Sequence, residues 1–179
     1  DAEKTFSGYG LGLDSNVGFF NNWWSGSAVE WNFRRAPGFF DEVCYTGTGV
    51  ARTLNHNLGV VPELMIMKNR SSAGYSWFTW DKSADLSQPF ALLALNDASG
   101  RPAFSSGNLN STVPTSTVFS VGGDSNVSGQ NYVTYLFASC PGVSKVGSYT
   151  GNGSSQTINC AFTTGARFVL IKRTDSTGD

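Results

Sequence analysis

Leu64-Met65-Ile66-Met67-Lys68 is a short apolar run closed by a lysine, and Phe168-Val169-Leu170-Ile171-Lys172 repeats it 104 residues later. Runs this short, bounded by turn-forming residues, read as strands buried on both faces rather than as helices. Working outward, the same shift carries Thr53-Leu54-Asn55 onto Thr157-Ile158-Asn159. It also carries Tyr45-Thr46-Gly47-Thr48-Gly49 onto Tyr149-Thr150-Gly151-Asn152-Gly153. Upstream, Trp31, Phe33, Pro37 and Gly38 fall on Tyr135, Phe137, Pro141 and Gly142. Asp14-Ser15-Asn16-Val17 matches Asp124-Ser125-Asn126-Val127 at a shift of 110, so one loop differs by six residues between the copies. A unit of this length has the size of a domain rather than of a solenoid repeat.

The phase of the repeat divides the chain into residues 1–43, the end of one unit, 44–145, a complete unit, and 146–179, the start of the next. Two arrangements fit: a fragment of a longer array, or a permuted domain in which the two ends complete each other. The fragment is preferred, because residues 76–114 have no partner segment in the other copy.

Within the unit, Ser76-Trp77-Phe78-Thr79-Trp80, Ala91-Leu92-Leu93-Ala94-Leu95, residues 116–121 and residues 132–137 carry the β-branched and aromatic residues of further strands. Pieces rich in Gly, Asn and Ser supply the turns between them. No window offers a capped amphipathic helix. Strands at roughly ten-residue spacing lead to an all-β expectation, antiparallel β-sandwich modules of jelly-roll type in tandem.

Charged residues are only 14% of the 179, with 12 Lys+Arg against 13 Asp+Glu. That balance carries no basic face for nucleic acid and no polybasic patch for an anionic membrane. The most apolar stretch, residues 58–67, is broken by Gly59, Pro62 and Glu63 and is far too short to span a bilayer. Cys44, Cys140 and Cys160 are an odd set without C-x-x-C spacing, which argues for buried free thiols over a disulfide framework or a zinc site.

Catalytic chemistry has little to build on. His56 is the single histidine, its repeat counterpart is Cys160, and no G-x-S-x-G elbow is present. The reading is therefore non-enzymatic, without a required cofactor. Asp124, Asn126 and Ser128 form a D-x-N-x-S-G start that resembles a calcium loop, but Tyr135 stands where the twelfth-position Glu belongs. They are a weak calcium candidate. The aromatics are stronger. Trp23 and Trp24 fall in the six-residue difference between the copies, and Trp77 and Trp80 lie in the middle of the unit. Such rings make flat platforms for sugar faces or protein partners, and these four are the candidate contact residues.

The string from Trp31 through Arg34-Arg35-Ala36-Pro37-Gly38-Phe39-Phe40-Asp41-Glu42-Val43-Cys44 to Gly49 resembles a repeat module of marine phage tail-fibre and virion-surface proteins. Asn55-His56-Asn57-Leu58-Gly59, Pro62-Glu63-Leu64 and Tyr132-Val133-Thr134-Tyr135-Leu136-Phe137 extend the resemblance. It implies a structural protein on the virion surface, outside the cell. Its partners would be neighbouring virion subunits or a host-surface glycan, with homo-oligomers expected from the fibre class. The alternative is a lectin-like carbohydrate-binding module, assisted by calcium. One departure is that Trp77-Phe78-Thr79-Trp80 is followed by Asp81-Lys82 where copies in that family often carry a His.

Overall fold

The computed structural model describes residues 33–101 and 104–175. Its strands are β1 Phe40–Thr46, β2 Arg52–Asn55, β3 Leu64–Asn69, β4 Phe78–Asp81, β5 Phe90–Ala94, β6 Phe104–Ser105, β7 Val118–Val121 and β8 Asn131–Phe137. Short 3-10 turns at Ser106–Leu109 and Gly123–Ser125 are the helical pieces among the described residues. Six strands form one antiparallel sheet in the order β1-β8-β3-β4-β5-β6, and β2 and β7 form a separate antiparallel ribbon. The chain is thus mostly β, as its composition and strand runs require.

β3 sits at the centre of the six strands because its run can be buried on both faces. Register pairs Met65 with Trp80 and Leu136, and Met67 with Phe78, so these side chains share one face of the sheet. There they join Leu54 of β2 and Phe119 and Val121 of β7 in a single core with Leu58, Leu92 and Leu109. On the opposite face Ile66, Lys68, Thr79, Leu93 and Val133 are also buried.

The expected strands within 64–68, 76–80, 91–95, 116–121 and 132–137 all exist, with ends displaced by one or two residues. β1 was not legible. Its inner face carries Asp41, buried between Arg35 and the backbone N–H of Asn57, which donates to Asp41 Oδ2 at 2.7 Å. An inward carboxylate on an edge strand breaks the apolar alternation, and it also discourages edge-to-edge association. β1 spans the boundary placed between residues 43 and 44.

Residues 168–172 form no strand. Val169, Leu170 and Ile171 are 67, 48 and 66% exposed, whereas their counterparts Met65, Ile66 and Met67 are at most 8% exposed. The sequence is strand-like, but no partner strand lies against it among the described residues. The three thiols are free as expected but not buried: Cys44 is exposed and Cys140 and Cys160 are half-buried. Burial is the largest influence on the Cys44 thiol and pushes its pKa up, assisted by its hydrogen bond to Glu42.

Candidate contact surface

The two repeated polar motifs meet in space. Tyr45 donates its hydroxyl to the Ser125 carbonyl at 2.7 Å, and the Gly49 N–H donates to the Asn126 carbonyl at 2.7 Å. Asn126, 1% exposed, accepts from the Thr48 N–H through Oδ1 and donates Nδ2 to the Val50 carbonyl at 2.6 Å. Gly47 lies so close that a Cβ there would stand 2.1 Å from the Val127 carbonyl oxygen. The Tyr45 and Tyr132 rings stack with centroids 5.1 Å apart. Burial dominates the environment of the Tyr45 hydroxyl and drives its pKa well above the ordinary tyrosine value. Tyr-Thr-Gly-Thr-Gly and Asp-Ser-Asn-Val are therefore two halves of one clasp.

That geometry places the residues of the calcium-like loop. Asn126 is turned into the clasp with its carboxamide bonded within the chain, while Asp124 and Ser128 are exposed. Of the three candidate donors, Asn126 is the one whose side chain is committed to the clasp. Among the described residues, no group of three or more His, Cys, Asp and Glu side chains could hold a metal ion.

His56 is likewise tied into the fold. The Leu58 N–H donates to Nδ1 at 3.2 Å, which assigns the proton to Nε2, and Nε2 donates to the Thr115 carbonyl at 3.1 Å. Its ring is 5% exposed.

The structure separates the four tryptophans. Trp23 and Trp24 lie outside the described residues. Trp80 is 2% exposed and belongs to the core, so it is withdrawn as a contact residue: β4 directs it inward opposite Met65. Trp77, one residue before β4, is half-buried. Its backbone N–H donates to Asn96 Oδ1 at 2.9 Å, and the Lys68 ammonium lies 5.7 Å from its ring centroid. Lys68 Nζ also donates to the Tyr75 carbonyl at 2.5 Å. A buried lysine thus props one side of the indole at the sheet end where the β3–β4 and β5–β6 loops meet. Sequence reasoning found Trp77 but missed Lys68, which read only as the polar end of a strand.

A second candidate lies beside β4 and β5, a shallow concavity of about 370 Å³ lined by Ser83, Asp85, Gln88, Pro89 and Arg101 among others. Its charges are already engaged. Arg101 pairs with Asp81 and donates to Ser83 Oγ, while Asp85 accepts from Ser87 and Gln88. Desolvation lowers the pKa of Arg101. The groove has no aromatic floor for a sugar ring.

No helix of the described residues is long and apolar enough to cross a membrane. Comparison with known proteins gives one family match, over residues 15–179, to a domain of unknown function designated DUF7483. No curated protein and no solved structure matches.

Proposed function

The chain belongs to the DUF7483 family, and we propose that it is a non-enzymatic structural module of a phage virion surface, in a tail fibre or a capsid fibre. Its role would be to contact the host surface or to brace neighbouring subunits. The observation that carries this reading is Trp77, half-buried at the end of the sheet, with its ring beside the Lys68 ammonium and its backbone N–H held by Asn96. A rigid aromatic on loops supported by a β-scaffold is a contact feature with little ordering cost on binding. The jelly-roll sandwich in tandem copies, displayed many times on an oligomeric fibre, would multiply individually weak contacts. The resemblance of residues 31–49 and 132–137 to virion modules supports the location.

Antibody-gold electron microscopy of phage particles tests it. Label on fibres or tail favours attachment, and even label over the head favours bracing. Absence of label from every particle removes the virion reading. The second reading, a lectin-like module, is favoured by the position of Asn96 beside Trp77, since sugars are held by a ring with polar groups near it. It requires the isolated chain to bind a defined glycan and to lose at least about tenfold affinity in Trp77→Ala, from the worth of a buried aromatic contact. Chelator titration during the same assay reads out any calcium dependence.

A further inference from the structure

The clasp uses one copy of each repeated motif and leaves one copy of each over, Asp14-Ser15-Asn16-Val17 and Tyr149-Thr150-Gly151-Asn152-Gly153. The C-terminal half is already shaped for its partner. Residues 36–40 and 140–144 form the same turn, with N–H to O distances of 2.9, 3.1 and 3.1 Å in the first and 3.1, 2.9 and 2.9 Å in the second. Gly38 and Gly142 both have φ of 74°, and Gly49 and Gly153 have φ of 78° and 77°. Past that turn the second copy is the more exposed: Val169, Leu170 and Ile171 are exposed where Met65, Ile66 and Met67 are buried, and Tyr149, Ile158 and Phe168 are exposed where Tyr45, Leu54 and Leu64 are half-buried.

We propose that residues 168–172 are the docking surface for the chain's own N-terminal segment. Residues 27–33 would pair along them as β8 pairs along β3, and residues 14–17 would close on residues 149–153 as the second clasp. Three observations choose this occupant. First, Phe33 and Phe168 already lie with ring centroids 6.4 Å apart within one chain, and their counterparts Phe137 and Leu64 are a register pair of β8 and β3. Second, Phe33 is seated on the outer face of the six-stranded sheet, its ring 5.3 Å from that of Phe40 and 5.5 Å from that of Phe137. Third, exposure alternates along the docking surface. Phe168 and Leu170 are 46 and 48% exposed, against 67 and 66% for Val169 and Ile171, so one side of the run is turned toward the molecule.

A pairing in this register would put residues 29, 31 and 33 on one face with Phe168 and Leu170, and residues 30 and 32 on the other, by the period of a strand. The apolar face would add a second layer on the outer side of the six-stranded sheet. The inference does not depend on the virion or lectin reading. It concerns how the chain completes itself.

The test is disulfide trapping in the full chain with Cys44, Cys140 and Cys160 changed to Ser. Asn32→Cys with Val169→Cys copies the Leu136–Met65 register pair. Trp31→Cys with Val169→Cys is slipped by one residue, which places the two thiols on opposite faces. Under mild oxidation the in-register pair should close as a monomer at least about tenfold faster than the slipped pair, because a disulfide needs both Cβ atoms on one face. Equal rates for the two pairs, or no closure, overturn the proposal. Closure mainly as a dimer at high dilution also overturns it and assigns the surface to a second copy. Should the cysteine variants not fold, hydrogen exchange on the unaltered chain decides. Amides of residues 168–172 protected like those of β3 support the pairing, and exchange as fast as in an open loop overturns it.

Discussion

Tyr45 and Tyr149 open the same five-residue motif, yet Tyr45 is stacked on Tyr132 in a clasp while Tyr149 is 50% exposed. Met65 and Val169 occupy equivalent places in equivalent apolar runs, and they are 0 and 67% exposed. The local sequences are nearly interchangeable. What differs is the neighbour: β3 lies between β8 and β4, and residues 168–172 have no such strands beside them among the described residues. Strand propensity in this chain is permissive, and the partner strand decides whether it is realised.

The comparison breaks most visibly at glycine. Gly47→Ala places a methyl 2.1 Å from the Val127 carbonyl oxygen, backbone that cannot retreat without opening the clasp. A loss of at least about 3 kcal/mol in urea unfolding is expected, the upper range for overpacking. Gly151 has nothing within 4 Å of the equivalent position. Gly151→Ala should leave the unfolding of residues 36–139 within about 0.5 kcal/mol of the parent. If the N-terminal segment closes a second clasp, the same substitution slows the in-register disulfide of the preceding section. An equal effect of both alanines on unfolding would show that the two motifs are already in the same state.

Next in size is the strand pair. Met65→Ala should cost about 2–5 kcal/mol, the range for emptying a fully buried site, and Val169→Ala less than about 0.5 kcal/mol on the same transition. Calorimetry or urea denaturation of both variants reads the difference directly. Within the clasp, Asn126→Ala deprives the Thr48 N–H of its partner and the Val50 carbonyl of the shorter of its two donors, the Thr48 hydroxyl remaining. It should cost about 1–3 kcal/mol, since the groups left behind have given up water without a replacement.

These sites also show how far the sequence could be read. β3, β4, β5, β7 and β8 announce themselves because apolar runs between turn residues have few other uses. β1 does not, because Asp41 and Glu42 serve an edge and a turn contact rather than an alternating face. The Asp-Ser-Asn-Val loop looked like a cation site because alternate oxygen donors are common to calcium loops and to polar clasps. Only the position of Thr48 and Val50, more than seventy residues earlier in the chain, distinguishes the two. Trp80 and Trp77 differ in exposure through strand register, and register follows from pairing that no local window contains. Lys68 gained its role in the same way, by ending beside Trp77 and Tyr75.

Apart from the near-neutral Gly151→Ala and Val169→Ala, the smallest expected effect lies at the junction where the first copy hands over to the second. Glu63 Oε2 accepts from the Ser139 N–H at 3.2 Å and from the Ser139 hydroxyl, and Lys82 Nζ donates to Oε1 at 2.9 Å. Ser139 Oγ in turn accepts from the Val146 N–H at 3.0 Å, so one carboxylate ties β8 to the start of residues 140–146. The repeat puts Arg167 at the matching place, so the second copy has no equivalent anchor. Burial alone would raise the Glu63 pKa, but the Ser139 and Lys82 interactions outweigh it and hold it below the ordinary glutamate value. A carboxyl lowered by folding contributes stability above its unfolded pKa, about 4.3, and loses that contribution as pH falls through the lower folded value. Glu63→Gln should therefore unfold more easily than the parent at pH 6, by less than about 1 kcal/mol for a pair this accessible to solvent. The two should converge by pH 3. Urea midpoints measured from pH 6 to pH 3 check this, and a gap that stays constant across the range would mean that Glu63 acts through its shape rather than its charge.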